Sequence, residues 1–162
     1  MSSIRGLNIP SSGNADGKGL RFAIVKSMWN DKVVNALVDG CVDTLRDMGS
    51  TDVTIQTVGG AFELPLAAQA LAKSLQFDGI LAIGCLIKGE TMHFEYISSA
   101  AVDGLMRVGL DSGVPVLNGV LNVLTEDQAL ARAGLIGTHG NEGVGWAKTA
   151  IIQARLVAKY RN

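Results

Sequence analysis

The stretch that most restricts the fold is Gly79-Ile80-Leu81-Ala82-Ile83-Gly84, an unbroken apolar run closed at both ends by glycine. A strand wetted on one face alternates apolar and polar side chains. A run without a polar position therefore reads as a strand covered on both faces, as in a parallel sheet. A helical pattern follows closely: from His93 onward Ile97, Ala100, Ala101, Leu105 and Val108 recur at three- and four-residue steps along one face. Between the two lies Lys88-Gly89-Glu90-Thr91, at the carboxyl end of a strand and the amino end of a helix, where unpaired backbone N–H groups attract an anion such as phosphate. His93 then falls in the first helical turn, at the sheet edge where open α/β folds bind ligands. A histidine at a helix start is as often a solvated or capping side chain. The neighbouring anion position shifts the reading toward proton transfer.

The rest of the chain repeats this unit. Leu20 to Val25 is apolar, and Asp31 to Met48 carries a helical face of Val34, Leu37, Val38, Val42 and Leu45, closed by Gly49 as a C-cap signal. Trp29-Asn30 sits in the connecting loop, where the ring either faces a ligand crevice or plugs the top of the core. Val53 to Val58 reads as a second strand. Gly59-Gly60-Ala61-Phe62-Glu63-Leu64-Pro65 then leads into a helix over Leu66 to Gln76, with Pro65 tolerated in the first turn. Paired glycines let the backbone approach a ligand closely, and Glu63 supplies an acceptor, so this loop suits the hydroxyls of a polar molecule. Val114 to Val123 forms a fourth strand containing Asn118, and Glu126 to Ala133 a short helix containing Arg132. A glycine-rich loop from Gly134 to Gly143 precedes a final helix over about Val144 to Tyr160. Strands alternating with helices, without an internal repeat, predict a doubly wound parallel sheet. We expect one domain over residues 20–162, preceded by a flexible arm over 1–19 whose Gly, Ser and Asn content cannot offset its ordering entropy.

Lys and Arg number 14 against 15 Asp and Glu, a net charge of -1, so the chain lacks the electrostatic footprint of a nucleic-acid or anionic-membrane binder. A small molecule is the expected partner. Hydrophobic residues reach 48% and charged ones only 18%, a surplus that predicts apolar surface buried between subunits. Cys41 and Cys85 fall in buried elements without metal-ligand spacing, which predicts neither a metal site nor a disulfide framework and fits a reducing cytoplasm. The first 20 residues hold no apolar core of signal-peptide length and no run anywhere reaches the length of a membrane span, so a soluble cytoplasmic protein is expected.

Several ordered motifs, taken together, resemble a known family. They are Trp29-Asn30, Gly60-Ala61-Phe62-Glu63-Leu64-Pro65, Ile87-Lys88-Gly89-Glu90-Thr91-Met92-His93-Phe94-Glu95-Tyr96, Gly113-Val114-Pro115-Val116, and Glu126-Asp127-Gln128-Ala129 through Arg132-Ala133-Gly134. From about Arg21 to the last helix the chain is similar to the 6,7-dimethyl-8-ribityllumazine synthases of riboflavin biosynthesis. The resemblance implies a three-layer, flavodoxin-like, four-stranded parallel sheet flanked by helices. It implies a transferase that condenses 5-amino-6-(D-ribitylamino)uracil with 3,4-dihydroxy-2-butanone 4-phosphate and releases phosphate, with no metal and no organic cofactor. By the same resemblance His93 transfers protons and Trp29 stacks on the pyrimidine. Ala61, Phe62, Glu63, Cys85, Leu86 and Ile87 bind that ring and its ribityl chain. Glu90 and Thr91 hold the phosphate, and Arg132 of this or the adjacent subunit clamps it. Members form homopentamers with active sites between subunits. Asn118 stands where many members direct an aromatic or aliphatic side chain at the neighbour's heterocycle, and Glu142 where members carry Lys or His. The loop from Gly134 to Gly143 is longer than in members that build icosahedral shells, which implies a free pentamer.

Overall fold

A computed structural model describes residues 16–161. Four strands, β1 (Arg21–Ser27), β2 (Asp52–Val58), β3 (Gly79–Ile87) and β4 (Val116–Val123), form one parallel sheet in the order β2-β1-β3-β4. The helices are α1 (Asp31–Asp47), α2 (Leu64–Lys73), α3 (His93–Ser112), α4 (Glu126–Arg132) and α5 (Glu142–Tyr160), with a 3-10 turn over Ala61–Glu63. The expected doubly wound, three-layer α/β architecture is the observed one.

The sheet is covered as the apolar runs require. Phe22 and Ile24 of β1 and Leu81 and Ile83 of β3 pack with Leu37, Leu45 and Ile151 of α1 and α5. On the opposite face Ala23, Val25, Ile80 and Ala82 meet Leu64 and Ala68 of α2 and Leu105 of α3. β3 is central, paired with β1 from Gly79 to Ile83 and with β4 from Ile80 to Ile87. It runs three residues past Gly84, the end read from sequence, because β4 continues to offer backbone partners as far as Val123. The second helix begins earlier than expected, through the 3-10 turn, and stops at Lys73, after which Leu75 turns with φ 57. β4 starts at Val116 rather than Val114, and α5 starts at Glu142, because the Asn141 side chain caps it by accepting the Gly143 N–H at 2.8 Å.

Residues 1–15 of the expected arm lie outside the described residues. Its last part packs on the body: the Gly17 N–H donates to the Met48 carbonyl at 2.7 Å, and the Arg155 guanidinium donates to the carbonyls of Asp16 and Lys18 at 2.9 and 2.7 Å.

α1 and α5 approach unusually closely. A Cβ on Gly143 would lie 2.3 Å from the Leu37 carbonyl oxygen, and one on Gly40 would lie 2.6 Å from Asn141 Oδ1. Asn141 Nδ2 donates to the Ala36 carbonyl at 2.8 Å, and the Cys41 thiol donates to the Gly143 carbonyl at 3.2 Å. Gly143→Ala should therefore be destabilising even though alanine is the better helix former by about 1 kcal/mol. The clash with a helix backbone should dominate, with a net loss of about 2 kcal/mol. Urea denaturation checks this: we expect a lower midpoint at unchanged slope. An unchanged midpoint would mean that the two helices separate at no cost.

Candidate active site

Three strand ends of one parallel sheet open at the same edge, and the connections that leave them enclose a cleft of about 670 Å³. After β1 come Trp29 and Asn30; after β2, Gly59 through Glu63; at the end of β3, Cys85, Leu86 and Ile87; and from the first turns of α3, His93 and Ile97. Trp29 and Phe62 are 72% and 60% exposed, so two flat apolar faces stand open to an incoming ring.

These walls are tied to one another. Asn30 takes a left-handed conformation, φ 55 and ψ 45, which asparagine tolerates better than most residues, and its Nδ2 donates to the Cys85 carbonyl at 2.9 Å. The loop after β1 is thereby fastened to the end of β3. The Met28 N–H is shared between the carbonyls of Val58 and Gly59, at 3.0 and 3.1 Å, which joins it to the end of β2 as well. Glu63 reaches back over its own 3-10 turn so that Oε2 accepts the Gly60 N–H at 2.9 Å. A Cβ on Gly60 would meet that carboxylate at 3.3 Å and Trp29 Cδ1 at 3.5 Å, so the indole lies against the glycine.

His93 is the first residue of α3, and Met92 before it supplies no side-chain cap. Thr91 Oγ1 accepts the His93 N–H at 3.4 Å. The loop over residues 88–92 is rooted by the Lys88 N–H, which donates to the Val123 carbonyl at 2.9 Å. Other amides of the first turn of α3 find no intrahelical acceptor, a condition that favours an anion.

Of the residues singled out from sequence, Trp29, Ala61, Phe62, Glu63, Cys85, Leu86, Ile87 and His93 line one cleft. Glu90 and Thr91 are exposed in the loop between Ile87 and His93, outside the cleft wall. Asn118 and Arg132 do not line it either. Arg132 ends α4, and its Nη1 donates to the Gln128 carbonyl at 3.4 Å. Asn118 lies on the edge strand β4, where its Oδ1 accepts the Val120 N–H at 3.1 Å, while Asn122 Nδ2 donates to the Val120 carbonyl at 3.2 Å. Asn30 and Ile97 belong to the cleft without having been singled out for it. Their signals were adjacency to Trp29 and a position one helical turn after His93. The glycine-rich loop is closed by a bridge between Ala133 and Asn141, and the His139 Nε2 and Glu142 Oε1 atoms lie 2.7 Å apart.

Among the described residues no three His, Cys, Asp or Glu side chains converge on a point that could hold a metal ion, and no helix is long and apolar enough to cross a membrane. Both cysteines are buried with free thiols, and burial pushes the Cys85 thiol up to about 11 and the Cys41 thiol to about 12.

Residues 19–158 match the family model described as 6,7-dimethyl-8-ribityllumazine synthase. Curated proteins of that name share this similarity. The one from Schizosaccharomyces pombe is 47% identical over 149 residues, covering 90% of this chain and 93% of its own. The one from Paraburkholderia phytofirmans is 49% identical over 121 residues, 74% of this chain and 72% of its own. The one from Mycolicibacterium vanbaalenii is 44% identical over 146 residues, 90% and 92% respectively.

The thiols give a pH dependence with a definite sign. Each ionises near 9.0 in a solvated chain and higher when folded, so the unfolded state loses its protons first as pH rises. The stabilisation is whole below pH 9 and disappears as pH climbs through about 11 to 12. Urea unfolding at a series of pH values should show stability falling above pH 9, and Cys41→Ala should make that fall shallower. Equal slopes in the two proteins would contradict the burial argument for Cys41.

Proposed function

The chain belongs to the 6,7-dimethyl-8-ribityllumazine synthase family, and from that premise we propose that the cleft at the carboxyl ends of β1, β2 and β3 is its active site. The protein is an enzyme of riboflavin biosynthesis, a transferase that condenses 5-amino-6-(D-ribitylamino)uracil with 3,4-dihydroxy-2-butanone 4-phosphate and releases inorganic phosphate. The observation that carries the site assignment is the convergence of Trp29, the Gly59–Glu63 loop, the end of β3 and His93 on one cleft.

In this reading the pyrimidine lies against Trp29, with Phe62 as the second apolar face. Backbone groups of Ala61 to Glu63 and of Cys85 to Ile87 bind the ring and the ribityl hydroxyls, and Glu63 keeps its loop in shape through Gly60. The butanone phosphate sits at the start of α3 on Glu90 and Thr91. Arg132 of this or an adjacent subunit adds a planar, charge-assisted fork, and Asn118 faces the heterocycle from the neighbour. The substrate amine attacks the ketone, and water leaves to give an imine. Loss of a proton from C3 then expels phosphate from C4, the enol left behind tautomerises to a C3 ketone, and the ribityl-bearing amine closes the second ring on it with loss of another water. Each step moves a proton, and His93 is the group placed to carry it. A general acid–base contributes about two to four powers of ten, and much of the rest comes from holding two substrates in register.

The assembly in this reading is a cytoplasmic homopentamer with each site shared by two subunits. Its support is the outer face of α3 together with Met92 just before it: Met92, Tyr96, Met106 and Leu110 are 58 to 75% exposed. With Ser99 and Asp103 between them they follow alternating steps of four and three, the spacing by which one helix seats against another copy. In the same reading residues 20–162 form the synthase domain and residues 1–19 its N-terminal arm.

His93→Ala should slow turnover by about one to three powers of ten without abolishing it, because substrate positioning survives the loss of the proton carrier. The check is appearance of the lumazine chromophore from the two substrates. A wild-type rate in the variant would remove His93 from the mechanism, and no chromophore from the wild type would remove the function. Light scattering coupled to size exclusion should give a particle of about five times 16.9 kDa. A megadalton particle would show that the loop over 134–143 does not prevent shell formation, and a monomer would undermine the shared site.

A further inference from the structure

Lys88 is the only lysine or arginine between Gly79 and Met106, and its ammonium does not extend freely into solvent. It pairs with the carboxylate of Glu95, in the first turn of α3, and lies 5.7 Å from the centre of the Phe94 ring. Its own N–H is held by the Val123 carbonyl on β4. Lys88 and Glu95 therefore close a ring around residues 89–94, Gly89 to Phe94, anchored on the sheet at one end and on α3 at the other. Among the described residues Glu95 Oε2 is shut off from water and has no hydrogen-bond partner, so there the carboxylate depends on the Lys88 ammonium for compensation. The Lys88 and Glu95 side chains are 40% and 36% exposed. A pair as open as this contributes little to global stability. What it can do is select one loop shape among several.

We infer that Lys88 is a positioning residue for the reaction: by pairing with Glu95 it sets the conformation of residues 89–92, and with it the amides that receive phosphate and the entry angle of His93. This rests on the reading of the loop as the phosphate cradle. Gly89 gives the segment no shape of its own, since a Cβ there would meet nothing within 4 Å. Thr91 fastens only the His93 amide. Among the described residues, the span from Lys88 to Glu95 is the one tie that embraces the whole turn. Lys88 acts through that span, and the amides make the contact with phosphate.

Steady-state kinetics of the full chain, varying each substrate in turn, tests this. Lys88→Met should raise the KM for dihydroxybutanone phosphate, and the inhibition constant of inorganic phosphate, by about tenfold, leaving the KM for the pyrimidine substrate within about twofold. Lys88→Arg should restore wild-type constants to within about twofold, because a cation of similar reach re-forms the span. The double variant Lys88→Met with Glu95→Gln should stay impaired, since removing the stranded carboxylate does not rebuild the loop. Unchanged constants in Lys88→Met, a parallel rise of both KM values, or full recovery in the double variant would each overturn the inference. The last of these would reduce Lys88 to a neutraliser of Glu95. Calorimetric titration with inorganic phosphate reads the same loop without turnover. A wild type that binds phosphate but makes no lumazine, with binding lost in Lys88→Met, would sink the synthase reading and leave the positioning role standing. Equal phosphate binding by wild type and Lys88→Met would sink the positioning role.

Discussion

The two-sided burial of β3 is the constraint on which the rest of the structure depends. Ile80 to Ile83 are fully buried, shared between two separate packing clusters, and the strand has a hydrogen-bonded neighbour along each side. A strand in that position cannot end in open water without a connection that climbs out of the sheet, and the climb from Ile87 to His93 creates a helix start beside the ends of β1 and β2. The place of the cleft follows from how the apolar core is satisfied, as is general for open parallel sheets.

Preorganisation of the cleft comes from a few hydrogen bonds that join loops far apart in sequence. The bond from Asn30 to the Cys85 carbonyl spans 55 positions. The shared Met28 amide links the ends of β1 and β2, and Glu63 turns its own loop back on Gly60. Each tie fixes a wall against its neighbour rather than against solvent, so a ligand can enter without first ordering the protein.

Much of this was legible in the sequence because the signals were local. Periodicity announced each helix face, the apolar run announced β3, and glycines and Pro65 marked the turn into α2. What escaped depended on partners distant in the chain. β3 outlasts Gly84 because β4 pairs with it as far as Val123. α2 begins in a 3-10 turn because Ala61 and Leu64 bury into the sheet. Asn30 was named beside Trp29, but its left-handed backbone and its bond to Cys85 require the third strand to be in place. Ile97 was read as a core residue of the α3 face and also borders the cleft. Asn118 and Arg132 are marked in the sequence by motif resemblance alone, and they lie on β4 and α4, outside the cleft of their own chain.

The two asparagines on β4 have a further consequence. Pro115 and Val123 give their carbonyls to β3, so the backbone groups of Val120 point the other way, to the unpaired side of the sheet. Asn118 Oδ1 occupies the Val120 N–H, and Asn122 Nδ2 occupies its carbonyl. An extended segment from another chain laid along this margin would find both outward backbone groups of Val120 already occupied and would have to break two bonds to pair with that residue. The edge is sealed by side chains in place of a fifth strand, and accretion of β-structure, the usual hazard of an uncovered margin, is blocked at its midpoint.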